Sequence, residues 1–259
     1  MKIGIIGCQG FVGSAFCSVF SQGNQHEVEG IGRSNLHLMK GARFDILINA
    51  NGNSSKRLAD ADPKKDFEMN VDATVGFLED IACEHYIHLS TVEVYSDKSQ
   101  KEATREDAAI DPAKLSNYGS SKYSGELAAK KHAKSWLVLR LAGMVGPGMK
   151  KGPAYDILHD GKLYLSEKSR LHFMDTREVA RIAMLLCEKG KWGETYNVAG
   201  KGSLELLEFA RIAGVKLSSS GSEKVLFDIS TEKLEREVKV MPSEEAVRAF
   251  ADEWKGGKQ

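Results

Sequence analysis

Short apolar runs alternate with amphipathic segments along the first two thirds of the chain. The run F-D-I-L-I-N-A at 44–50 is continuous, as expected of a parallel strand covered on both faces. Four further strands are predicted at 2–7, 26–31, 86–91 and 136–141. Helices are predicted at about 11–21, 64–83 and 175–189, and around Tyr118. This alternation predicts an α/β fold, a doubly wound parallel sheet with helices on both faces.

The pattern becomes less regular after about residue 142. Gly146-Pro147-Gly148 marks a turn, and later pieces predict short strands and two helices, near 203–213 and 243–255. We therefore predict two interleaved parts. The main sheet would comprise residues 1–142 and about 175–200, and a small C-terminal lobe that covers a substrate would comprise about 143–174 and 201–259.

The composition is typical of a soluble globular protein. Hydrophobic residues make up 42% of the 259 positions, enough for a sizeable core. Lys+Arg and Asp+Glu both number 36, so no overall charge attracts nucleic acid or an anionic membrane. No run approaches the ~18 apolar residues of a membrane helix, and no signal peptide is predicted. The cysteines and histidines lack metal-ligand spacing, which predicts reduced thiols, a cytoplasmic location and no metal.

Three glycines separate the first predicted strand from its helix. Gly7, Gly10 and Gly13 follow the pattern G-x-x-G-x-x-G, which lets the backbone turn tightly and approach a pyrophosphate. The helix that starts at Phe11 and Val12 would direct free N–H groups and a partial positive charge toward that anion. The first gap is one residue wider than in the commonest fingerprint. Its position directly after an N-terminal strand favours a bound dinucleotide over a simple tight turn.

The end of the second predicted strand indicates which dinucleotide is preferred. An acidic residue about 20 positions after the loop commonly holds the ribose of NAD, but Gly32 stands there. Arg33 and Ser34 follow, and a guanidinium matches the oxygens of the 2′-phosphate of NADP. The sequence therefore predicts NADP, with NAD as the alternative cofactor. A solvated surface arginine is the other interpretation of Arg33.

Tyr118 and Lys122 are four residues apart in S-N-Y-G-S-S-K, which places both on one face of a helix. A tyrosine with a pKa of about 10 exchanges protons poorly at neutral pH, and a nearby ammonium lowers that pKa. The pair is suited to move a proton to or from a substrate hydroxyl while a nicotinamide carries the hydride. The spacing also arises by chance in a lysine-rich chain, so it needs support from other motifs.

Several motifs, in order, make the chain resemble the extended short-chain dehydrogenase/reductase family, which includes nucleotide-sugar epimerases, dehydratases and reductases. The resemblance covers roughly residues 1–200. Besides the glycine loop, it rests on L-S-T-V-E-V-Y (89–95), Y-G-S-S-K (118–122), L-R-L-A-G-M-V-G-P-G (139–148), R-x-x-F-M-D (170–175) and Y-N-V-A-G (196–200). It implies a Rossmann sheet and, since relatives often pair through two long helices, a homodimer.

The resemblance also implies a catalytic set. Thr91 matches the residue whose hydroxyl binds the substrate oxygen that is oxidised or reduced, and Tyr118 matches the acid–base group. Lys122 matches the lysine that holds the nicotinamide ribose and lowers the pKa of the tyrosine. Glu93 matches the acid that dehydratases use as the base for elimination, although Val92 replaces the second acid that many of them carry. Glu93 could equally be a structural acceptor beside a helix N-terminus.

Residues that hold the cofactor follow from the same resemblance. Its ribose and phosphate would pass Asn49, Ala50 and Asn51, which come after the third predicted strand. Asn70, in F-E-M-N-V-D-A-T, matches an asparagine that usually supports the cofactor. The segment between Arg33 and Phe44 has hardly any room for the usual strand and helix. The adenine side of the site is therefore expected to be abbreviated.

The substrate that the resemblance implies is a nucleotide-linked sugar. Arg170 matches an arginine that commonly pairs with its diphosphate, with an exposed arginine in a charged turn as the alternative. Gly143 stands where many relatives have a substrate-contacting asparagine. The leading hypothesis is an NAD(P)-dependent oxidoreductase that reduces or epimerises a keto-sugar. The alternatives are a 4,6-dehydratase that uses Glu93, and a non-catalytic NADP sensor or nucleic-acid-binding relative.

Overall fold

A parallel sheet of six strands is the main element of the computed structural model, which describes residues 1–256. Its strands are β1 (Lys2–Ile6), β2 (Glu27–Ile31), β3 (Arg43–Asn49), β4 (Ala82–Thr91), β5 (Trp136–Leu141) and β9 (Glu194–Val198). Their order is β2-β1-β3-β4-β5-β9, so the direction of winding reverses between β1 and β3. Doubly wound sheets bind ligands at the carboxyl ends of the strands beside such a reversal. The predicted Rossmann fold is confirmed.

Helices and the sheet enclose an apolar core. The helices are α1 (Phe11–Phe20), α2 (Lys56–Ala61), α3 (Pro63–Phe67), α4 (Ala73–Asp80), α5 (Asn117–His132) and α7 (Thr176–Glu188). One core cluster joins Ile6, Ile31 and Leu47 from the strands to Phe77 on α4 and Tyr86 on β4. Burial of these side chains stabilises the sheet, at roughly 1.5–3 kcal/mol for each large apolar side chain.

The helix predicted over about 64–83 is present, but it contains a turn of π-helix and ends at Asp80. After α3 the chain forms one turn of π-helix over 68–72, and α4 follows. Asn70 lies in this turn, and its side-chain nitrogen donates hydrogen bonds to Asp66 and to Ser121. Turns of π-helix are frequent at functional sites. The sequence does not indicate this π-helical turn, because no helix-breaking residue marks it.

Two predicted boundaries also differ from the structure. β4 begins at Ala82 instead of 86, because exposed and partly buried residues alternate at its start and Ala82 pairs with Arg43. The helix predicted from 203 begins at 206, since Leu204–Glu205 forms strand β10, antiparallel to β7 (Arg170–Leu171). The hydrophobic period of an amphipathic helix does not show whether the residues just before the helix pair as a strand. The sequence pattern therefore placed the start of the helix too early.

The chain divides into two compact units. The first comprises Met1–Ser96, Ala109–Arg140 and Ala180–Tyr196, and the second comprises Asp97–Ala108, Leu141–Val179 and the described residues from 197 onward. Elements of the second unit are β6 (Gly143–Val145), α6 (Pro153–Asp160), β7, β8 (Phe173–Asp175), β10, α8 (Leu206–Ala213), α9 (Glu232–Glu235) and α10 (Ser243–Gly256). The rings of Phe173 and Phe209, 5.1 Å apart, lie in its core. Its role as a substrate lobe stays a prediction.

Among residues 1–256, no helix has both the length and the apolar character needed to cross a bilayer.

Candidate active site

The glycine loop between β1 and α1 contains close backbone approaches that only glycine allows. Gly7 has a φ of 79°. A Cβ at Gly13 would overlap the carbonyl oxygen of Gly7, and the N–H of Gly10 donates a 2.8 Å hydrogen bond to that oxygen. Phe11 and Val12 begin α1, and within the described chain no side chain caps this N-terminus. Its first N–H groups are therefore available to a phosphate.

The segment after β3 lies against this loop. A Cβ at Gly7 would lie 2.8 Å from the carbonyl oxygen of Ala50. Asn49 is buried, and its side chain is engaged within the protein: Nδ2 donates to Thr74 Oγ1 at 3.2 Å, and Oδ1 accepts from the N–H of Asn51 at 3.0 Å. Asn49 thus shapes the segment. Of the three residues predicted here, Ala50 and the exposed Asn51 are better placed to contact a cofactor.

A pocket of about 510 Å³ lies between the end of β2 and α4. On one side, Arg33 and Ser34 are exposed, and a 3₁₀ turn covers Leu36–Met39. Gly76 and Phe77 of α4 line the other side. Ligand pockets commonly have volumes of roughly 300–1,000 Å³. The short segment after β2 therefore borders an open pocket.

Helix α5 is fixed at its first turn. Ser116 caps it, since its Oγ accepts a 3.1 Å hydrogen bond from the N–H of Gly119. A Cβ at Gly119 would lie 2.5 Å from the carbonyl oxygen of Glu93, so this turn packs directly on the segment after β4. That packing brings Tyr118 to the carboxyl end of β4, close enough to Thr91 for the threonine hydroxyl to lower the pKa of Tyr118.

Lys122 lies one turn after Tyr118 and is buried. Its Nζ donates a 3.0 Å hydrogen bond to the carbonyl oxygen of Leu89 on β4. Burial lowers the pKa of Lys122 to about 8, against the nearby carboxylates of Glu126 and Asp66, which raise it. The structure thus brings together Thr91, Tyr118 and Lys122, the three residues of the predicted catalytic set.

The pKa of Tyr118 moves in the direction opposite to the one that the sequence predicts. Burial raises the pKa of Tyr118 above its ordinary value, and the carboxylate of Glu93 raises it further, while the hydroxyl of Thr91 opposes both. The charge of the Lys122 ammonium was expected to lower the pKa of Tyr118. This ammonium donates a hydrogen bond to the carbonyl oxygen of Leu89 instead. Tyr118 therefore keeps its proton at neutral pH and is a proton donor in this state.

Glu93 is held by an ion pair that the sequence does not indicate. Its Oε1 lies 2.6 Å from Nζ of Lys56, and its side chain is 13% exposed. Lys56 is the first residue of α2, whose N-terminus is capped by Ser55. The cap and the helix hold the backbone of Lys56 beside the segment after β4. Lys56 therefore belongs to the site, although it lies outside every recognised motif.

Asn70 belongs to a buried polar cluster in the same unit. Its Nδ2 donates to Asp66 Oδ1 at 2.8 Å and to Ser121 Oγ at 2.9 Å, and its Oδ1 accepts from the N–H of Asn53 at 3.1 Å. The side chain that was predicted to support a cofactor thus supports α5. Asp66 precedes Asn70 by four residues, a spacing that places both on one helix face and is the only sequence signal for this cluster.

The sequence model of one protein family matches residues 3–199, a range that includes the glycine loop and the Thr91, Tyr118 and Lys122 set. The chain belongs to the NAD dependent epimerase/dehydratase family. This matches the expectation drawn from the ordered motifs. None of the curated protein sequences compared with the chain matches it significantly.

Solved structures support the same fold for this member of the NAD dependent epimerase/dehydratase family. A UDP-glucuronic acid 4-epimerase variant from Bacillus cereus, in complex with NAD, is 19% identical over 99% of both chains, with a TM-score of 0.83. A dTDP-4-dehydrorhamnose reductase from Bacillus anthracis, in complex with NADP, is 16% identical over 97% of this chain and 98% of its own (TM-score 0.83). A dTDP-glucose 4,6-dehydratase from Bacillus anthracis is 17% identical over 100% and 97% (TM-score 0.77).

Two residues predicted to contact substrate lie in the second unit of this family member. Gly143 begins β6, and a Cβ there would lie 2.5 Å from the carbonyl oxygen of His172, so the close packing of β6 on β8 requires glycine. Arg170 is exposed, and its guanidinium donates to the carbonyl oxygen of Ser203 at 2.6 Å and to Ser203 Oγ at 3.1 Å. Gly143 therefore has a packing role, and Ser203 orients Arg170.

Because His88 on β4 is buried, we expect the protein to become less stable at acidic pH. His88 is 2% exposed, and both its ring nitrogens lack a partner among the described residues. Burial lowers the pKa of His88 from 6.5 to about 3. Between these values the unfolded chain binds a proton that the folded chain does not, so the free energy of unfolding falls as the pH decreases below 6.5. His88 should contribute a loss of about 2 kcal/mol by pH 5.

Thermal unfolding at pH 7 and pH 5 checks this expectation. His88→Leu removes the titrating group and should unfold at more similar temperatures at the two pH values than the wild type does. His132→Gln, a change at an exposed histidine of α5, is the matched control and should behave like the wild type. An unchanged pH dependence in His88→Leu would show that other groups govern acid unfolding.

Proposed function

We propose that this protein is an NAD(P)-dependent oxidoreductase that reduces or epimerises a nucleotide-linked keto-sugar. The observation that carries the proposal is the convergence of two groups at the carboxyl end of β4: Tyr118 lies close enough to Thr91 for that hydroxyl to lower its pKa, and buried Lys122 lies one helical turn away, bound to the carbonyl of Leu89. Family membership supports it, as do structural relatives whose names include epimerases and reductases of nucleotide sugars. Arg170 is proposed to pair with the substrate diphosphate.

The proposed chemistry assigns proton transfer to Tyr118. When bound, the nicotinamide would supply or accept the hydride. Tyr118 keeps its proton at neutral pH, so in reduction its phenol would donate that proton to the substrate oxygen, which the Thr91 hydroxyl orients. The reverse reaction would start from the ionised form of Tyr118, whose phenolate oxygen would take the proton of the substrate hydroxyl. The carboxylate of Glu93 makes this form less accessible, because it raises the pKa of Tyr118. The charge of Lys122 would attract an anionic or hydroxyl group of the bound ligands.

A panel of sugar nucleotides incubated with NADH and with NADPH tests the proposal. Absorbance of the reduced nicotinamide and NMR of the products are measured together. Net consumption of reduced nicotinamide identifies a reductase, and a changed sugar without net consumption identifies an epimerase or a dehydratase. Binding of the dinucleotide without turnover of any member of the panel would count against an enzymatic role.

Preference for NADP is proposed from the pocket beside β2. The exposed guanidinium of Arg33 lies on its lining, with Ser34 next to it. A guanidinium forms paired, charge-assisted hydrogen bonds with a phosphate. Arg33→Ala should therefore weaken NADPH binding about tenfold, the loss of one such contact.

Fluorescence titration with NADPH and NADH measures this change. The affinity for NADH should be the same in Arg33→Ala and in the wild type. Arg43→Ala is the control, since Arg43 is an exposed arginine at the start of β3 that pairs with Glu84. Equal losses for the two dinucleotides would mean that Arg33 does not read the 2′-phosphate.

A dehydratase is the second candidate, because Glu93 lies close enough to Tyr118 to raise its pKa. Elimination requires a carboxylate that is free to take a proton from carbon. The carboxylate of Glu93 instead forms an ion pair with Nζ of Lys56 at 2.6 Å. We therefore expect Glu93→Gln to keep turnover within about tenfold, well short of the roughly 10²–10⁴-fold contribution of a general base. Lys56→Gln is the paired control, since it removes the other partner of the same ion pair.

Deuterium incorporation distinguishes the two reactions. Turnover in deuterated water should leave the carbon-bound hydrogens of the product unlabelled in a reductase. Loss of activity in Glu93→Gln, together with solvent deuterium on a product carbon in the wild type, would establish elimination instead.

A further inference from the structure

We propose that Asp66 is a positioning residue for the proton-transfer pair: its buried carboxylate fixes the turn of α5 between Tyr118 and Lys122 and supplies negative charge that keeps Lys122 protonated. The inference rests on the proposed function, since that function assigns Tyr118 and Lys122 their role. Asp66 lies on α3, outside the motifs that identify the family, and its side chain is completely buried.

The carboxylate of Asp66 receives hydrogen bonds from three neutral side chains. Oδ1 accepts from Asn53 Nδ2 at 2.7 Å and from Asn70 Nδ2 at 2.8 Å. Oδ2 accepts from the hydroxyl of Ser121 at 2.5 Å. Ser121 lies between Tyr118 and Lys122 on α5, so Asp66 is joined directly to the turn that carries both residues. These donors replace the water that a carboxylate loses on burial.

The cluster also reaches the ammonium group. A Cβ at Gly52 would lie 2.6 Å from Asn70 Oδ1 and 3.6 Å from Lys122 Nζ, so the amide that binds Asp66 and the ammonium converge on the same glycine. Burial of an ammonium without compensating negative charge favours its neutral form. Asp66 and Glu126 provide that charge. Glu126, however, is paired with Arg140 at 2.8 Å, whereas the hydrogen-bond donors to Asp66 are neutral.

Groups on each packed element face Lys122. Asp66 on α3 and Glu126 on α5 favour its charged form. His88 on β4 is close enough for the ammonium to lower its pKa, and it is neutral at pH 7. Tyr118 keeps its proton, so it adds no charge. Of the acidic residues facing Lys122 among residues 1–256, Asp66 is therefore the one whose observed hydrogen-bond donors are all neutral.

Carbon-13 NMR of the full chain labelled at lysine Cε tests this proposal without substrate or dinucleotide. Lys122→Arg assigns the Lys122 signal. In the wild type, Lys122 should titrate with a pKa of about 8. In Asp66→Asn, which keeps the size of the side chain and removes its charge, the titration should move down by about one pH unit, the low end of the effect of a nearby charge.

Two further variants separate charge from geometry. Asp66→Ser removes the same charge and leaves room for water, so it should produce a similar shift if Asp66→Asn does not fold. Ser121→Ala breaks the link to α5 but keeps the carboxylate, and it should leave the titration of Lys122 nearly unchanged. Thermal unfolding of each variant confirms that folded protein is measured.

The outcomes are distinct from those of the proposed function. A wild-type Lys122 that loses its proton below pH 7, an unchanged titration in the neutral Asp66 variants, or an equal shift in Ser121→Ala would each overturn the proposal. A failure to turn over sugar nucleotides would count against the proposed function and would leave the titration result intact, because the titration needs no substrate.

Discussion

Replacing Tyr118 with Phe is expected to lower kcat by about 10²–10⁴-fold, the usual contribution of a positioned acid–base group. The variant keeps the ring and loses the hydroxyl that lies near Thr91. Without it, no proton reaches the substrate oxygen when the hydride is delivered. The affinity for NADPH should change little, because the glycine loop and the pocket beside β2 are untouched. Steady-state kinetics and fluorescence titration measure the two quantities.

Tyr123→Phe is the matched control for this experiment. Tyr123 lies on the same helix and is partly buried, so the two variants remove the same atom from neighbouring positions of α5. The control should retain nearly the full kcat. Comparable activity in Tyr118→Phe and the wild type would exclude Tyr118 as the proton donor, and a large loss in both variants would point to disruption of α5.

Local signals in the sequence are sufficient to predict most of the fold. The glycine loop and the continuous apolar run of β3 each lie within a few residues, and alternation of strands and helices implies parallel pairing. The π-helical turn at 68–72 could not be predicted in this way. It depends on hydrogen bonds from Asn70 to Asp66 and to Ser121, and Ser121 is distant in sequence.

In the candidate site, too, local sequence signals were sufficient for some features, while others depend on contacts between residues distant in sequence. The spacing of Tyr118 and Lys122 is a local signal, and the structure brings both to Thr91. The predicted direction of the pKa shift of Tyr118 was wrong. The shift depends on burial and on the carboxylate of Glu93, which the spacing of Tyr118 and Lys122 does not reveal. Lys56 was missed for a related reason, since its ion pair with Glu93 joins the start of α2 to the segment after β4, two regions that are distant in sequence.

Replacing Arg140 with Met is expected to lower the free energy of unfolding by about 3–5 kcal/mol. Arg140 and Glu126 form an ion pair behind the active site, with side chains that are 3% and 0% exposed. Arg140 Nη1 also donates to the hydroxyl of Tyr95 at 2.8 Å. The substitution leaves the buried carboxylate of Glu126 without its guanidinium partner, and the hydroxyl of Ser90 is its remaining observed donor among the described residues. Urea unfolding followed by tryptophan fluorescence measures the loss.

The double variant Glu126→Leu, Arg140→Met should recover much of this stability. Both charges are then absent, and replacement of a whole buried ion pair by apolar side chains is often neutral or stabilising. Arg43→Ala is the surface control, and its exposed pair with Glu84, at 3.6 Å, should contribute no more than about 1 kcal/mol. A double variant as unstable as Arg140→Met would contradict the argument, because the loss would then come from packing rather than from the carboxylate left without its partner.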